Sequence, residues 1–83
     1  MLHARKDYQH IQDPEHKIPE DEPVFLLRAQ DKAAAATVGF WIAYQMQNGG
    51  HADIITAARI QQQKMLTWPV KKIADLPQPS TKE

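Results

Sequence analysis

The 83-residue chain has no cysteine, which excludes disulfide staples, thiolate catalysis and cysteine-ligated zinc. It has no excess charge of either sign: ten Lys and Arg offset ten Asp and Glu, with four His besides. A general nucleic-acid binder carries a basic surplus, and an acidic mimic of nucleic acid carries the opposite one. Neither class is expected. No apolar run follows Met1-Leu2-His3-Ala4-Arg5-Lys6-Asp7, so no secretory signal is expected. The most apolar stretch, Ala33 to Met46, falls short of the roughly 20 residues that a membrane-spanning helix needs. The length allows one small domain at most, and the expectation is a soluble intracellular protein.

Catalytic patterns are equally scarce. The sole serine, Ser80, lies near the end of a Pro-containing tail. No glycine-rich phosphate loop occurs, and Gly49-Gly50 reads as a helix stop. His3, His10, His16 and His51 form no zinc-type spacing such as a helical i, i+4 pair. Glu20-Asp21-Glu22 stands between prolines and reads as a solvated loop. The expectation is therefore a protein without enzymatic activity, cofactor or metal.

What is present divides into zones. Residues 1–23 are polar and contain Asp13-Pro14, Ile18-Pro19 and Glu22-Pro23. Proline donates no backbone hydrogen bond and pushes the preceding residue towards extended geometry. This zone is expected to be an extended acidic arm. Residues 1–31 hold seven acidic and four basic side chains, whereas 32–83 hold three and six. The halves are thus −3 and +3, which allows the arm to lie against a more basic body or leaves two solvated surfaces. Val24-Phe25-Leu26-Leu27 has the length and composition of a short strand but no evident partner in the chain. It reads equally as an extended segment packed on helices, or as a strand pairing with another copy.

Residues 24–68 carry this apolar segment and two predicted helices. Asp31 is a favourable N-cap, Ala33–Ala36 are strong helix formers, and Asn48-Gly49-Gly50 supplies a left-handed stop. Helix A is placed at about 32–48, helix B at about 52–67 with Pro69 as its stop. On helix B one face carries Ile54, Ala58, Gln61, Met65 and Trp68, a second Ile55, Arg59, Gln62 and Leu66. His51 stands at the entry to helix B, where it could cap the helix or contact solvent. The short connection predicts an antiparallel helical hairpin. Residues 69–83 read as a largely disordered tail, since Leu76-Pro77 and Gln78-Pro79 forbid a helix in the last seven residues. The predicted class is mainly α, a hairpin with an extended arm and room for one short strand.

Helix A has no charged residue from Ala33 through Gly50. Val38, Trp41, Ile42 and Gln45 form one stripe, while Phe40, Tyr44 and Gln47 point elsewhere. One partner helix cannot cover so wide an apolar surface. Self-association would cover it, and small chains without disulfides or metals often gain stability in that way. A homo-oligomer is expected, the alternative being a compact monomer whose arm folds over helix A.

The cluster with most chemical content is Arg28-Ala29-Gln30-Asp31-Lys32. A helix N-terminus favours an anion through its free N–H groups, and Arg28 and Lys32 add two cations. Arg grips phosphate through paired hydrogen bonds, and Trp41, Tyr44 and Trp68 offer stacking faces. The candidate ligand-binding set is Arg28, Gln30 and Lys32 with Trp41 or Tyr44. Against it stands Asp31, whose carboxylate competes for the same N–H groups. In the alternative, Arg28 pairs with Asp31 or the acidic loop and the aromatics are core.

Ile18-Pro-Glu-Asp-Glu-Pro-Val-Phe-Leu-Leu-Arg-Ala-Gln-Asp31, followed by an alanine-rich helix with Trp41, resembles a type of small accessory protein encoded by bacteriophages and prophages. Ala4-Arg5-Lys6-Asp7-Tyr8 and Ile11-Gln12-Asp13 add to the resemblance, which covers about residues 4–45. It implies a non-enzymatic protein of the host cytoplasm. Such proteins bind a host protein or sequester a nucleotide-derived signal of host defence, the latter as small homo-oligomers with pockets near subunit interfaces. A minor virion component is a further alternative. The family carries no defined activity, so no functional residue is transferred from it.

Overall fold

The computed structural model describes residues 1–76, so the disorder expected for the last seven residues lies outside the described part. In chain order the elements are β1 (Leu2–His3), a 3-10 helix (Lys6–Tyr8), β2 (Pro23–Val24), α1 (Ala34–Gln47) and α2 (Ala52–Thr67). The protein is mainly helical, with two helices and a short two-stranded parallel sheet. It forms two compact units, Met1–Leu26 with the chain from Asp75 onward, and Leu27–Ala74.

In the first unit β1 and β2 pair in parallel, Leu2 opposite Pro23 and His3 opposite Val24. Pro23 opens its strand, a position where the missing N–H costs no ladder bond. The strand expected near Val24 thus has a partner within the chain, which corrects the expectation of none. A two-residue strand shows no alternation of apolar and polar residues, so the pairing leaves no sequence signal. Parallel pairing requires a connection of a dozen residues or more. That requirement folds the expected extended arm into turns.

The connection is held by polar contacts. Asp13 accepts from the Ile18 N–H at 2.9 Å and the Lys17 N–H at 3.3 Å through its carboxylate, and its carbonyl accepts from the His16 N–H at 2.9 Å. The loop so closed places His16 at φ 51°, a left-handed conformation that His tolerates better than most side chains. Arg5 binds both carboxylate oxygens of Asp7, at 3.0 and 2.6 Å, and reaches Asp75 at 3.3 Å. Its guanidinium carbon lies 4.8 Å from the centre of the Tyr8 ring. The Asp7 hydrogen bonds, with neighbouring negative charge, push the Arg5 pKa still higher.

The second unit packs α1 against α2. Its core is small: Ala34, Ala35 and Met65 are buried, with Leu27, Ala29 and Val38 packed around them, and Ile42 is buried further along α1. Gln62 Nε2 donates to the Ala35 carbonyl at 2.9 Å. A Cβ at Gly39 would lie 2.8 Å from that same nitrogen, so the glycine makes room for the amide. Of the stripe expected on α1, Val38, Ile42 and Gln45 lie partly or fully buried, whereas Trp41 is 40% exposed. On α2 the least exposed residues are Ile55, Ala58, Gln62 and Met65, drawn from both of the faces distinguished above.

Helix ends follow local chemistry. Gly49 at φ 78° ends α1, and the Gly50 N–H returns to the Gln45 carbonyl at 2.7 Å, the closing bond of a Schellman motif. His51 caps α2, its Nδ1 accepting from the Asp53 N–H at 3.1 Å. The start of α1 differs from the expectation at about 32. Asp31 does accept from the Ala33 N–H, at 2.8 Å, yet the helix begins at Ala34. An isolated parallel bridge between Asp31 and Lys72 explains the delay. The Lys32 N–H donates to the Lys72 carbonyl at 2.9 Å and the Lys72 N–H to the Gln30 carbonyl at 2.6 Å, which holds residues 30–32 out of helical geometry.

Candidate functional site

The segment that leads into α1 and the one that leaves α2 meet in the second unit. Pro69 ends α2, and Trp68 before it adopts extended backbone at φ −63° and ψ 123°. The chain then returns along Gln30–Lys32 through the Lys72 bridge. Lys71 reinforces this arrangement: its Nζ donates to the Ala29 carbonyl at 2.9 Å and to the Met65 carbonyl at 2.5 Å. An ammonium on the last carbonyls of α2 also offsets the negative end of the helix dipole.

A concavity of about 270 Å³ lies there, lined by Arg28, Ala29, Gln30 and Trp68. Of the residues singled out from the sequence, the fold therefore brings Arg28 and Gln30 together. Lys32 is exposed at the bridge, its backbone N–H already taken by Lys72. Trp41 and Tyr44 lie on α1 and do not line the concavity. They and Phe40, which is 74% exposed, are exposed aromatic residues of that helix.

The objection from Asp31 holds at the helix end, where its carboxylate takes an N–H that an anion would need, but it does not extend to an ion pair with Arg28. Asp31 is engaged with the Ala33 N–H, and the ion pairs among the described residues include none between Asp31 and Arg28. The Arg28 side chain forms no hydrogen bond or ion pair among those residues. Leu27–Ala74 holds Arg28, Lys32, Arg59, Lys64, Lys71 and Lys72 against Asp31 and Asp53, a net charge of +4. An exposed guanidinium in a cationic unit, beside an amide and an indole, can take a phosphate that carries a flat ring. Two contributors were hard to read from the sequence. Lys71 acts through backbone carbonyls, and Trp68 was one of three rings with nothing local to rank it first.

The histidines assemble no site of this kind. Among the described residues no three His, Asp or Glu side chains stand where they could share a metal ion. His3 is instead held in the first unit beside Tyr8, ring centres 6.5 Å apart and edge to face. Both of its ring nitrogens are buried and have no hydrogen-bond partner among the described residues. No helix among the described residues is long and apolar enough to cross a membrane. No family model, curated protein or solved structure matches the chain.

Proposed function

We propose that the chain is a non-enzymatic binding protein of phage or prophage origin, acting in the host cytoplasm to sequester a small nucleotide-derived signal of host defence. The observation that carries this reading is the Arg28 guanidinium, without a partner among the described residues, beside Gln30 in a concavity of a +4 unit. Arg28 takes the phosphate, Gln30 reads a polar edge of the ligand, and Lys32 adds long-range attraction. No nucleophile or paired acid and base is required for sequestration.

The two helices form an antiparallel hairpin in this reading, and copies associate through α1. Phe40, Trp41 and Tyr44 supply the contact, being 74%, 40% and 55% exposed on a helix without a charged residue. A soluble monomer seldom keeps a contiguous apolar patch in water, and three exposed aromatic rings within about one turn and a half of helix favour one. The same surface supports a second reading, an inhibitor or adaptor that docks on a host protein, and a virion component would use it for higher-order assembly.

Native mass spectrometry of protein purified from host cells with active defence signalling tests the proposal. An oligomer that carries a few hundred daltons of added mass per site is the expected result, with the added mass absent from Arg28→Ala while the oligomer persists. Arg28→Ala protein that retains the ligand would place the site elsewhere. A bare oligomer that captures a host protein would favour the second reading, and its presence in purified virions the third.

A further inference from the structure

We infer that Trp68 is the stacking ring of the Arg28 site, and that the site takes one nucleoside monophosphate and not a dinucleotide. The inference rests on the ligand-binding reading above and names the ring and the ligand size within it. Trp68 lines the same concavity as Arg28 and Gln30, whereas Trp41 and Tyr44 do not. Trp68 is 52% exposed, so it is open to a ligand from solvent.

The ring's support is unusually well tied for so small a unit. The Trp68 backbone N–H donates to the Met65 carbonyl at 3.3 Å, and Met65 is buried in the core. Lys71 links the Met65 carbonyl to the Ala29 carbonyl, joining the wall that carries Trp68 to the wall that carries Arg28 and Gln30. The Lys72 bridge fixes Gln30 from the other side. Walls tied in this way lose little further freedom when a ligand binds, so stacking and ion pairing are not spent on ordering the loop. Lys71 and Lys72 thereby position the site without touching the ligand.

The lining selects the ligand, because a shallow concavity of about 270 Å³ that is open to solvent meets part of a molecule without enclosing it. One Arg, one amide and one indole match one phosphate, one polar base edge and one base face. A cyclic dinucleotide presents two bases and two phosphates and has no second ring or second guanidinium to meet here.

Fluorescence titration of the full chain in single-tryptophan form reads this directly, with adenosine and guanosine monophosphate, inorganic phosphate and a cyclic dinucleotide as probes. Trp41→Phe leaves Trp68 as the reporter, and a nucleoside monophosphate is expected to quench its emission more strongly than phosphate does. Calorimetry on Trp68→Leu should show binding weakened about tenfold or more, with Trp68→Phe restoring much of it, because stacking needs a ring and not an indole N–H. Circular dichroism confirms that each variant keeps its helices. Binding lost in Arg28→Ala but unchanged in Trp68→Leu overturns the stacking role and leaves the Arg28 site standing. A cyclic dinucleotide that binds more tightly than either monophosphate overturns the size assignment. Arg28→Ala protein that binds a monophosphate as wild type does, or wild-type protein that binds no nucleotide, removes the underlying reading and this inference with it.

Discussion

The two compact units carry opposite charge and are held by different forces. Met1–Leu26 with the chain from Asp75 onward has eight acidic and four basic residues, −4, whereas Leu27–Ala74 is +4. The acidic unit has two-residue strands and contains none of the buried hydrophobic residues of the described chain. Single polar residues organise it, Asp13 closing a loop and Arg5 joining Asp7 to Asp75. The basic unit uses repeated helical hydrogen bonds and a shared apolar core. A unit built on apolar contact degrades in proportion to the atoms removed, while one built on point contacts fails at particular residues.

The largest effect is expected at the centre of the helical unit. Met65→Ala removes the largest side chain of the core that contains Ala34 and Ala35, and should cost about 2–3 kcal/mol. Urea unfolding followed by helical circular dichroism measures it, and a loss below about 1 kcal/mol would mean that this core contributes little to holding α1 on α2. Asp13→Ala should come next, at about 1–2 kcal/mol, since it strips the side-chain acceptor from two N–H groups. Its effect should be local: faster amide exchange at Lys17 and Ile18 with the helical signal unchanged. Uniform loss of helix would show the two units to be one cooperative structure.

His3→Leu runs in the opposite direction. Two buried ring nitrogens without partners among the described residues carry a desolvation cost that leucine lacks, so the variant should gain about 1 kcal/mol. A loss in thermal or urea melts would instead point to hydrogen bonding at the imidazole. The smallest effect is expected where two contributions oppose each other. Gly39→Ala gains helix propensity of about 1 kcal/mol but pushes Gln62 off the Ala35 carbonyl, a bond of about the same worth. The net change should stay within about 0.5 kcal/mol, whereas Gly39→Ala made on a Gln62→Ala background should be clearly stabilising.

Much of the helical unit was legible because its signals are local. Ala33–Ala36, the Asn48-Gly49-Gly50 stop and Pro69 bracket α1 and α2 to within about two residues, and His51 takes the capping role, one of the two open to it at the entry of the helix. These depend on steric preferences and hydrogen bonds between near neighbours, which any short window of sequence carries. Arg28 and Gln30 were legible as a cation and an amide ahead of a helix. Their relation to Trp68 was not, because the two segments lie some forty residues apart and are joined by the Lys72 bridge and the Lys71 ammonium.

By itself the sequence determined composition, the absence of cysteine chemistry, the two helices, their stops and the charge-free character of α1. Only the tertiary structure decided that Leu2–His3 pairs with Pro23–Val24, that α1 begins at Ala34 and that Trp68 shares a concavity with Arg28. The reason is common to all three. Each turns on a backbone or side-chain partner distant along the chain, and contacts of that kind are selected by closure of the whole fold, not by the preference of any residue for its neighbours.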